Sequence, residues 1–206
     1  MSRSQARTAT AEDLFERRVL PVYHLAEEAA AIAAACHAMA VRFHGGGTLV
    51  VFGNGAASTD AQHVAVEFVH PVIMGKRALP AISLTSDVAT VTGIAGMEGF
   101  DEIFAHQLRH LATPKDIALG ISADGDCGNV FRGLATGREL GMLTIALVGG
   151  DGGRIASLRA ADHVLVARSD DPRVIKEVHV TTYHVLWELV HVFFEHPGLL
   201  PPEVVS

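Results

Sequence analysis

Residues 48–69 read TLVVFGNGAASTDAQHVAVEFV, and the rest of the chain is organised around them. The stretch opens with five apolar or β-branched residues, turns at Gly53-Asn54-Gly55, and continues with small residues at helical spacing. This pattern predicts a buried strand, a glycine-rich turn and a helix whose N-terminus faces the carboxyl end of the strand. Unpaired backbone N–H groups gather at such a point, so small polar ligands bind there in open parallel sheets.

Two residues of the predicted helix, His63 and Glu67, are four positions apart and therefore project from the same face. An imidazole and a carboxylate at this spacing can share a proton or hold a metal ion. The same spacing is also typical of an exposed pair without chemistry, and many α/β proteins have a Gly-Asn-Gly turn. Spacing alone leaves both interpretations open.

Length and composition favour one α/β domain with a sizeable core. The chain has 206 residues, of which 49% are apolar, and its mean hydropathy is +0.30. A second full domain is not expected at this length. The formal net charge is −7 and no run of Lys or Arg is longer than a pair, whereas nucleic-acid-binding modules usually carry a basic patch. We therefore expect no direct nucleic-acid ligand.

The cysteines and the first residues favour a cytoplasmic protein. Cys36 and Cys127 lie far apart and lack the spacing of a metal site, so neither a disulfide framework nor a cysteine-based zinc site is predicted. The opening residues, MSRSQARTATAED, lack the apolar core of a secretory signal. No apolar run approaches the roughly 18 residues needed to span a bilayer, so we expect no membrane association.

The N-terminal region predicts helices that serve in oligomerisation. Residues 11–44 are rich in alanine, with Thr10 and Asp13 as a capping box. Pro21 either separates two helices or marks the first turn of the second. From Tyr23 onwards the sequence is apolar over so much of the helix circumference that more than one side must be buried. The second buried side packs either on a partner subunit or on the chain's own core.

Five short, nearly continuous apolar stretches follow, at residues 48–52, 79–84, 117–121, 143–148 and 163–166. They alternate with helical segments, the last running from Asp171 to Glu195, and each is followed by a polar or glycine-rich turn. This order is typical of parallel strands joined by right-handed crossovers and covered by helices on both faces. The turns after the first three strands therefore share one edge of the sheet. We predict a single domain over 11–196, between a disordered N-terminus, 1–10, and a tail, 197–206.

Several segments resemble one known family, in the same order and with little change in spacing. They are GNGAASTDAQHVAVEF from residue 53, ALPAISLTSDVATVTGIAG from 78, DIALGISADGDCGNVFRGL from 116 and SDDPRVIKEVHVTTYHVLWELV from 169. Together they are similar to the sugar isomerase (SIS) domain, and most similar to its phosphoheptose isomerase branch, which interconverts sedoheptulose 7-phosphate and a heptose 7-phosphate. The resemblance implies a flavodoxin-like, three-layer α/β/α fold and a homotetramer with active sites at subunit interfaces.

The resemblance also implies the catalytic residues. Glu67 corresponds to the family's glutamate base, and His184 corresponds to a histidine of its last long helix. Aldose–ketose interconversion moves a proton between adjacent carbons through an enediol, which needs a base at carbon and a second group for the hydroxyl protons. We expect Glu67 to be that base and His184 its acid/base partner.

Some members of the family bind zinc, through the positions of His63, Glu67 and His184 and through a glutamine that falls at position 176. This chain has Lys176 there, and an ammonium group cannot ligate a metal. Lys176 lies eight residues before His184, on roughly the same helix face, where it can supply positive charge to Glu67 or to an enediolate. The alternative is a surface lysine. We expect no required cofactor, and either no tightly bound zinc or a site reduced to the three remaining residues.

The largest departure is in the family's phosphate-binding loop. That loop reads Ser-Thr-Ser-Gly-Asn-Ser, whereas residues 122–127 read Ser-Ala-Asp-Gly-Asp-Cys. A carboxylate about 4 Å from a phosphate charge is repelled by roughly 4 kcal/mol at an effective dielectric constant of about 20, and a lost serine donor costs about 1 to 3 kcal/mol more. We expect Asp124 to mark a site for a non-phosphorylated, aminated or nucleotide-linked sugar, unless Asp124 and Asp126 are solvated loop residues.

The expected ligand is a sugar or sugar phosphate, and two functions compete. One is a sugar isomerase with an altered substrate; the other is a non-catalytic SIS module that binds a sugar derivative or a protein, similar to the relative that associates with the bacterial DnaA initiator. That relative lacks the glutamate and histidine pair, so Glu67 and His184 favour the enzyme, whereas the altered loop favours the module. The expected substrate-binding residues are Asn54, Gly55, Ser58, Asp87, Ser122, Asp124, Asp171 and Lys176.

Overall fold

The computed structural model describes residues 10–201. Its strands are β1 Leu49–Gly53, β2 Ala81–Ser83, β3 Ile117–Ser122, β4 Leu143–Gly149 and β5 His163–Ala167. Its α-helices are α1 Ala11–Glu27, α2 Ala29–His44, α3 Ala56–Val69, α4 Val88–Met97, α5 Ile103–Leu111, α6 Gly128–Glu139, α7 Gly153–Ser157 and α8 Pro172–Glu195. Short 3-10 helices cover Phe100–Glu102 and Pro197–Leu199. Residues 1–9 of the predicted disordered N-terminus and residues 202–206 of the predicted tail lie outside the described residues, whereas Thr10 is described and caps α1.

The strands form one parallel sheet in the order β2-β1-β3-β4-β5. All residues of β1, β3 and β4 are buried, which explains their continuous apolar sequences, because such strands are covered by helices on both faces. Val51 and Leu119 belong to a core that includes α2, α3 and α8, whereas Val50 and Ala118 belong to a second core that includes α4 to α7. The predicted three-layer α/β/α fold is confirmed.

The strand order creates a switch point at the carboxyl ends of β1 and β3. Leu49 of β1 is in register with Ala81 on one side and with Ile117 on the other, and ligands bind at the point where the direction of the crossovers reverses. The turn after β1 requires its glycines. A Cβ on Gly53 would lie 2.8 Å from the carbonyl oxygen of Ile121, and Gly55 has a φ of 54°.

The first helix differs from the prediction at one point. The capping box is confirmed, because Thr10 and Asp13 accept hydrogen bonds from each other's backbone N–H. The prediction that Pro21 separates two helices is wrong, since Pro21 lies buried inside α1, where burial of its ring offsets part of the lost backbone hydrogen bond. No single helix within residues 10–201 is long and apolar enough to cross a membrane; α1 and α2 pass that test of length and composition only as a pair, bent by 63°.

The two N-terminal helices bury different shares of their apolar surface. α2 packs into the chain's own core through Ile32, Ala35, Cys36, Met39, Ala40 and Phe43. In α1 the buried residues are Pro21 and Leu25, whereas Phe15 and Tyr23 are 73% and 65% exposed. The apolar surface that does not pack on the chain's own core therefore lies on α1 more than on α2.

Candidate active site

Helices α3 and α8 bring three of the predicted residues together. Oε1 of Glu67 lies 3.3 Å from Nε2 of His63 and 3.9 Å from Nε2 of His184. The side chains of His63 and His184 are 43% and 45% exposed, whereas that of Glu67 is 13% exposed. The carboxylate is thus the least accessible member of an open group, which we call the His–Glu–His cluster.

Trp187 joins the two helices next to this cluster. Its indole N–H donates to the backbone carbonyl of Glu67 at 2.9 Å, and the residue is 5% exposed. Trp187 is also three residues after His184 and therefore on a neighbouring part of the same helix face. The distance between Glu67 and His184 therefore depends on how α8 packs on α3. No local sequence pattern specifies that packing.

The donor atoms of the cluster fit a metal ion. The three ligand atoms lie within 4.8 Å of one another, and histidine nitrogen with carboxylate oxygen is a set that zinc uses in catalytic sites with three protein ligands. Nδ1 of His63 is 3.0 Å from the hydroxyl of Tyr183, which leaves Nε2 directed at Glu67. A site reduced to His63, Glu67 and His184 is therefore compatible with the structure.

Lys176 pairs with Asp60 and not with Glu67, which corrects the expectation from the sequence. The ammonium donates to Oδ1 of Asp60 at 2.6 Å and to the carbonyl oxygen of Ala56 at 3.2 Å. Asp60 is 4% exposed, and a buried carboxylate without a partner is strongly destabilising. Lys176 is therefore neither a partner of the proposed base nor an unengaged surface lysine.

Three predicted substrate-binding residues line a recess at the carboxyl end of β1. The recess has a volume of about 200 Å³, and Asn54, Gly55 and Ser58 form part of its wall. The Asn54 side chain makes two hydrogen bonds with the amide of Asn129, at 2.7 and 2.9 Å. The Ser58 hydroxyl donates to the carbonyl oxygen of Gly55 at 2.7 Å. The recess lies at the switch point, but its polar side chains are already engaged within the chain.

Two other predicted binding residues act as helix caps. Asp87 accepts from the N–H groups of Ala89 and Thr90 at the start of α4. Asp171 accepts from the N–H of Arg173 at the start of α8. Hydrogen bonds from the Arg173 guanidinium, followed by this backbone bond, lower the pKa of Asp171 to about 2. Both carboxylates thus stabilise the start of a helix.

The loop at residues 122–127 uses its hydrogen-bond donors internally. The Asp124 carboxylate accepts from the N–H of Asp126 at 2.9 Å and from the Ser122 hydroxyl at 3.1 Å. These bonds, that of the Asp126 N–H first, hold the pKa of Asp124 below its usual range. The Ser122 oxygen in turn accepts from the N–H of Gly125 at 3.0 Å. Asp124 therefore occupies donors that an incoming anion would need.

A cleft borders this loop at the carboxyl ends of β3, β4 and β5. It has a volume of about 540 Å³, and its wall contains four aspartates, Asp124, Asp126, Asp151 and Asp170. Oδ1 of Asp126 accepts from the N–H of Arg154 at 2.8 Å, so this carboxylate is also engaged within the chain. Like charges gathered at one cleft make it unfavourable for a phosphate group.

Comparison with known proteins establishes the family. A model of the SIS domain matches residues 18–149. The chain belongs to the SIS domain family. It is 39% identical to a phosphoheptose isomerase of Solidesulfovibrio magneticus over 170 residues, 82% of each chain, and 44% identical to one of Pelobacter propionicus over 148 residues, 72% of this chain and 77% of that one. A solved phosphoheptose isomerase of Francisella tularensis matches with a TM-score of 0.82 and 33% identity, covering 88% of this chain and 96% of that one. The resemblance of this SIS protein to the phosphoheptose isomerase branch is confirmed.

Two residues beside the cluster were not predicted from the sequence. Asp60 lies on the same face of α3 as Val64 and Phe68, and all three are buried. A charged residue on the buried stripe of a helix indicates a charged partner elsewhere, so a signal for Asp60 was available. Tyr183 contacts His63 across 120 residues of sequence, and no sequence pattern reports that contact.

Proposed function

We propose that this SIS protein is an aldose–ketose isomerase of the phosphoheptose isomerase type, with Glu67 as the base and His184 as its acid/base partner. The observation that carries the proposal is the 3.9 Å approach of Nε2 of His184 to the Glu67 carboxylate. Similarity to phosphoheptose isomerases over most of the chain supports the same reaction class. A non-catalytic SIS module is not favoured, because the groups for proton transfer are present and close together.

The reaction moves one proton between neighbouring carbons. Glu67 removes the proton beside the carbonyl, and the electron pair it leaves forms the double bond of an enediol. The protonated Glu67 then returns the proton to the former carbonyl carbon, while His184 carries a proton from one sugar oxygen to the other. No proton is gained or lost overall. His63, 3.3 Å from Glu67, orients the carboxylate.

We expect these proton transfers to need no cofactor, although zinc fits the cluster. His63, Glu67 and His184 would hold the ion, and it would polarise the substrate carbonyl as a Lewis acid. Metal analysis of protein purified without added metal, before and after chelation, tests the site. Zinc in the wild type should be lost on His63→Gln substitution, and equal zinc contents in the two proteins would contradict a metal site at the cluster.

The substrate we propose is a non-phosphorylated, aminated or nucleotide-linked sugar, because Asp124 occupies the donors of residues 122–127. Relatives are phosphoheptose isomerases by name, but Asp124 already takes donors of the loop. A phosphate charge about 4 Å from Asp124 is repelled by roughly 4 kcal/mol, and a non-phosphorylated, aminated or nucleotide-linked sugar avoids this repulsion. Calorimetry with sedoheptulose 7-phosphate is the test, and micromolar binding would contradict the proposal.

The assembly we propose is a homotetramer in the cytoplasm. Exposed apolar side chains on α1, among them Phe15 and Tyr23, support an interface between subunits, because such surface is normally covered. Light scattering after gel filtration measures the mass of the assembly. Phe15→Glu should yield smaller species, and a monomeric wild type would contradict the proposal.

Solvent exchange tests the reaction class. An isomerase in D₂O incorporates deuterium at the carbon beside the carbonyl of its sugar, which NMR detects across a panel of aldoses, ketoses, their phosphates and amino derivatives. Glu67→Gln should reduce exchange by roughly 10²- to 10⁴-fold. Glu139→Gln, at the exposed end of α6, is the matched control and should leave the rate unchanged. Sugar binding without exchange for any member of the panel would favour the non-catalytic module.

A further inference from the structure

A group of three polar side chains lies on the surface at α5, and the proposed reaction uses none of them. They are Glu98, which follows α4, and His106 and His110 of α5. Helices α4 to α7 cover one face of the sheet, whereas α3 and α8, which carry the His–Glu–His cluster, cover the other. The three residues are therefore separate from that cluster, and we call them the α5 group.

The two histidines of the α5 group are placed to share one ion. They are four residues apart and therefore project from one face of the helix, one turn from each other. Two histidines at this spacing hold zinc in the His-Glu-x-x-His helix of metalloproteases. His110 is exposed, and the side chain of His106 is 33% exposed. An ion from solution can therefore reach both rings.

The separation of the two rings matches what a shared metal ion requires. The ring centres of His106 and His110 are 4.7 Å apart, and the ring planes are inclined by 48°, so the rings are not stacked flat. A metal ion at about 2.0 to 2.1 Å from an imidazole nitrogen lies about 3.2 Å from the centre of that ring. Two rings on one ion, at the angles of about 90° and 109° found in tetragonal and tetrahedral sites, have centres about 4.5 to 5.2 Å apart. The observed separation falls within this range.

Glu98 is placed as the outer carboxylate of a metal site. Its Oε1 lies 2.7 Å from Nδ1 of His106, which engages that nitrogen and leaves Nε2 for an ion. A carboxylate beside the second ring nitrogen orients a metal-binding histidine and makes it a stronger ligand. The neighbouring cation, Arg109, pairs with Glu102 at 3.1 Å, so its positive charge is offset next to the α5 group.

We propose that His106 and His110 bind one divalent transition-metal ion, with Glu98 as the outer partner of His106. Imidazole nitrogen favours Cu²⁺, Ni²⁺ and Zn²⁺, whereas Mg²⁺ and Ca²⁺ favour oxygen ligands. Water completes the coordination, because both rings are accessible to solvent. The site does not depend on the proposed isomerase reaction.

Calorimetry on the full-length protein, stripped of metal by chelation, tests the site. The background is His63→Gln, because this substitution removes a ligand of the His–Glu–His cluster, which fits the same ions. We expect this variant to bind one equivalent of Cu²⁺ or Zn²⁺ at the α5 group, with Cu²⁺ bound more tightly than Zn²⁺. Mg²⁺ should not compete with either ion.

Further substitutions in the same background locate the ion. Glu98→Gln should weaken Cu²⁺ binding by roughly 10- to 100-fold, and His106→Gln or His110→Gln should weaken it by at least as much. His110→Gln combined with Leu111→His keeps the number of histidines but turns the second donor by about 100° around the helix. Because the two rings then no longer share one face, this variant should bind Cu²⁺ as weakly as His110→Gln does.

Paramagnetic broadening in NMR spectra gives a second readout, and circular dichroism checks that each variant is folded. Small additions of Cu²⁺ to the background protein should broaden the ring signals of His106 and His110 before those of the other histidines. His196→Gln, at the exposed end of α8, is the matched control and should leave the affinity unchanged. Equal Cu²⁺ affinities with and without His110→Gln would overturn the proposal, and so would broadening that begins at other histidines.

Discussion

The His–Glu–His cluster and the loop at residues 122–127 use their carboxylates in opposite ways. In the cluster, Glu67 faces two imidazole nitrogens at 3.3 and 3.9 Å, and both rings are open to solvent. In the loop, Asp124 takes the hydroxyl and N–H donors of its own neighbours. Under the proposed function, reactivity and recognition are therefore separate properties of this fold: the groups proposed for proton transfer are present, while Asp124 occupies loop donors that an anion would otherwise need.

The largest effect on deuterium exchange is expected when the His–Glu–His cluster loses His184, its proposed acid/base group. His184→Gln keeps a polar side chain but removes the group that we propose carries protons between the sugar oxygens, so deuterium exchange should fall by roughly 10²- to 10⁴-fold. His110→Gln, on the exposed side of α5, is the control for the loss of a histidine. An unchanged exchange rate in His184→Gln would remove that residue from the mechanism.

Asp124→Ser should free the donors of the loop at residues 122–127 and let the loop bind a phosphate group. Taking a carboxylate away from a site about 4 Å from a phosphate charge relieves roughly 4 kcal/mol, which corresponds to roughly 10³-fold in Kd. The affinity for sedoheptulose 7-phosphate, measured by calorimetry, should rise by that order, while the affinity for sedoheptulose stays the same. Asp151→Ser removes a charge from the same cleft; an equal gain there would show that net charge, and not the loop, excludes phosphate.

A smaller effect is expected from the bond that joins α3 to α8 at the cluster. Trp187→Phe keeps an aromatic ring but removes the hydrogen bond to the carbonyl of Glu67, so the free energy of unfolding should fall by about 1 kcal/mol. Urea unfolding must be followed by circular dichroism, because Trp187 is the chain's one tryptophan. If stability does not change, the helix pair is held by apolar packing without help from this bond.

The smallest effect concerns the cap of α8, the helix that carries His184. The pKa of Asp171 is lowered to about 2 by Arg173, whereas an unfolded aspartate titrates near about 3.9. Because the folded pKa is the lower one, the stabilisation is present above about pH 4 and is lost as the pH falls towards 2.

Melting temperatures measured across that range test the cap. Asp171→Asn can still cap the helix but has no charge to lose. The stability advantage of the wild type over this variant should therefore shrink as the pH falls from about 4 to 2. A constant difference over the range would contradict a role for the ionised carboxylate.

The sheet was predictable because its strands carry a strong local signal. The bounds of β1, β3, β4 and β5 match the predicted stretches to within one residue at either end, since a continuous apolar run is what a strand buried on both faces requires. The prediction for Pro21 was wrong because the rule that proline interrupts a helix ignores tertiary packing. Here the buried ring lies within a continuous α1. Burial decides both cases. An apolar run in the sequence indicates a buried strand, but no local pattern indicates whether a proline inside a helix will be buried.

The site was predictable only in part, for reasons that differ between residues. His63 and Glu67 follow from spacing on one helix, whereas His184 followed from the family resemblance, because its approach to Glu67 depends on two distant helices. The pairing of Lys176 with Asp60 crosses the same helix interface and has no local signal of its own. The Asp124 carboxylate accepts from the N–H two residues later, which is a local tendency of aspartate. The internal hydrogen bond of the loop was therefore predictable from the sequence, whereas its effect on anion binding was not.

Asp124 is attached to the loop that it closes, so its effective concentration at those donors is set by the backbone and is on the order of millimolar or more, as for other short tethers. Inorganic phosphate and free carboxylates must compete for these donors with the Asp124 carboxylate, which is covalently attached and cannot diffuse away. Under the proposed function, we therefore expect sugar binding beside this loop to be independent of the anion content of the solution.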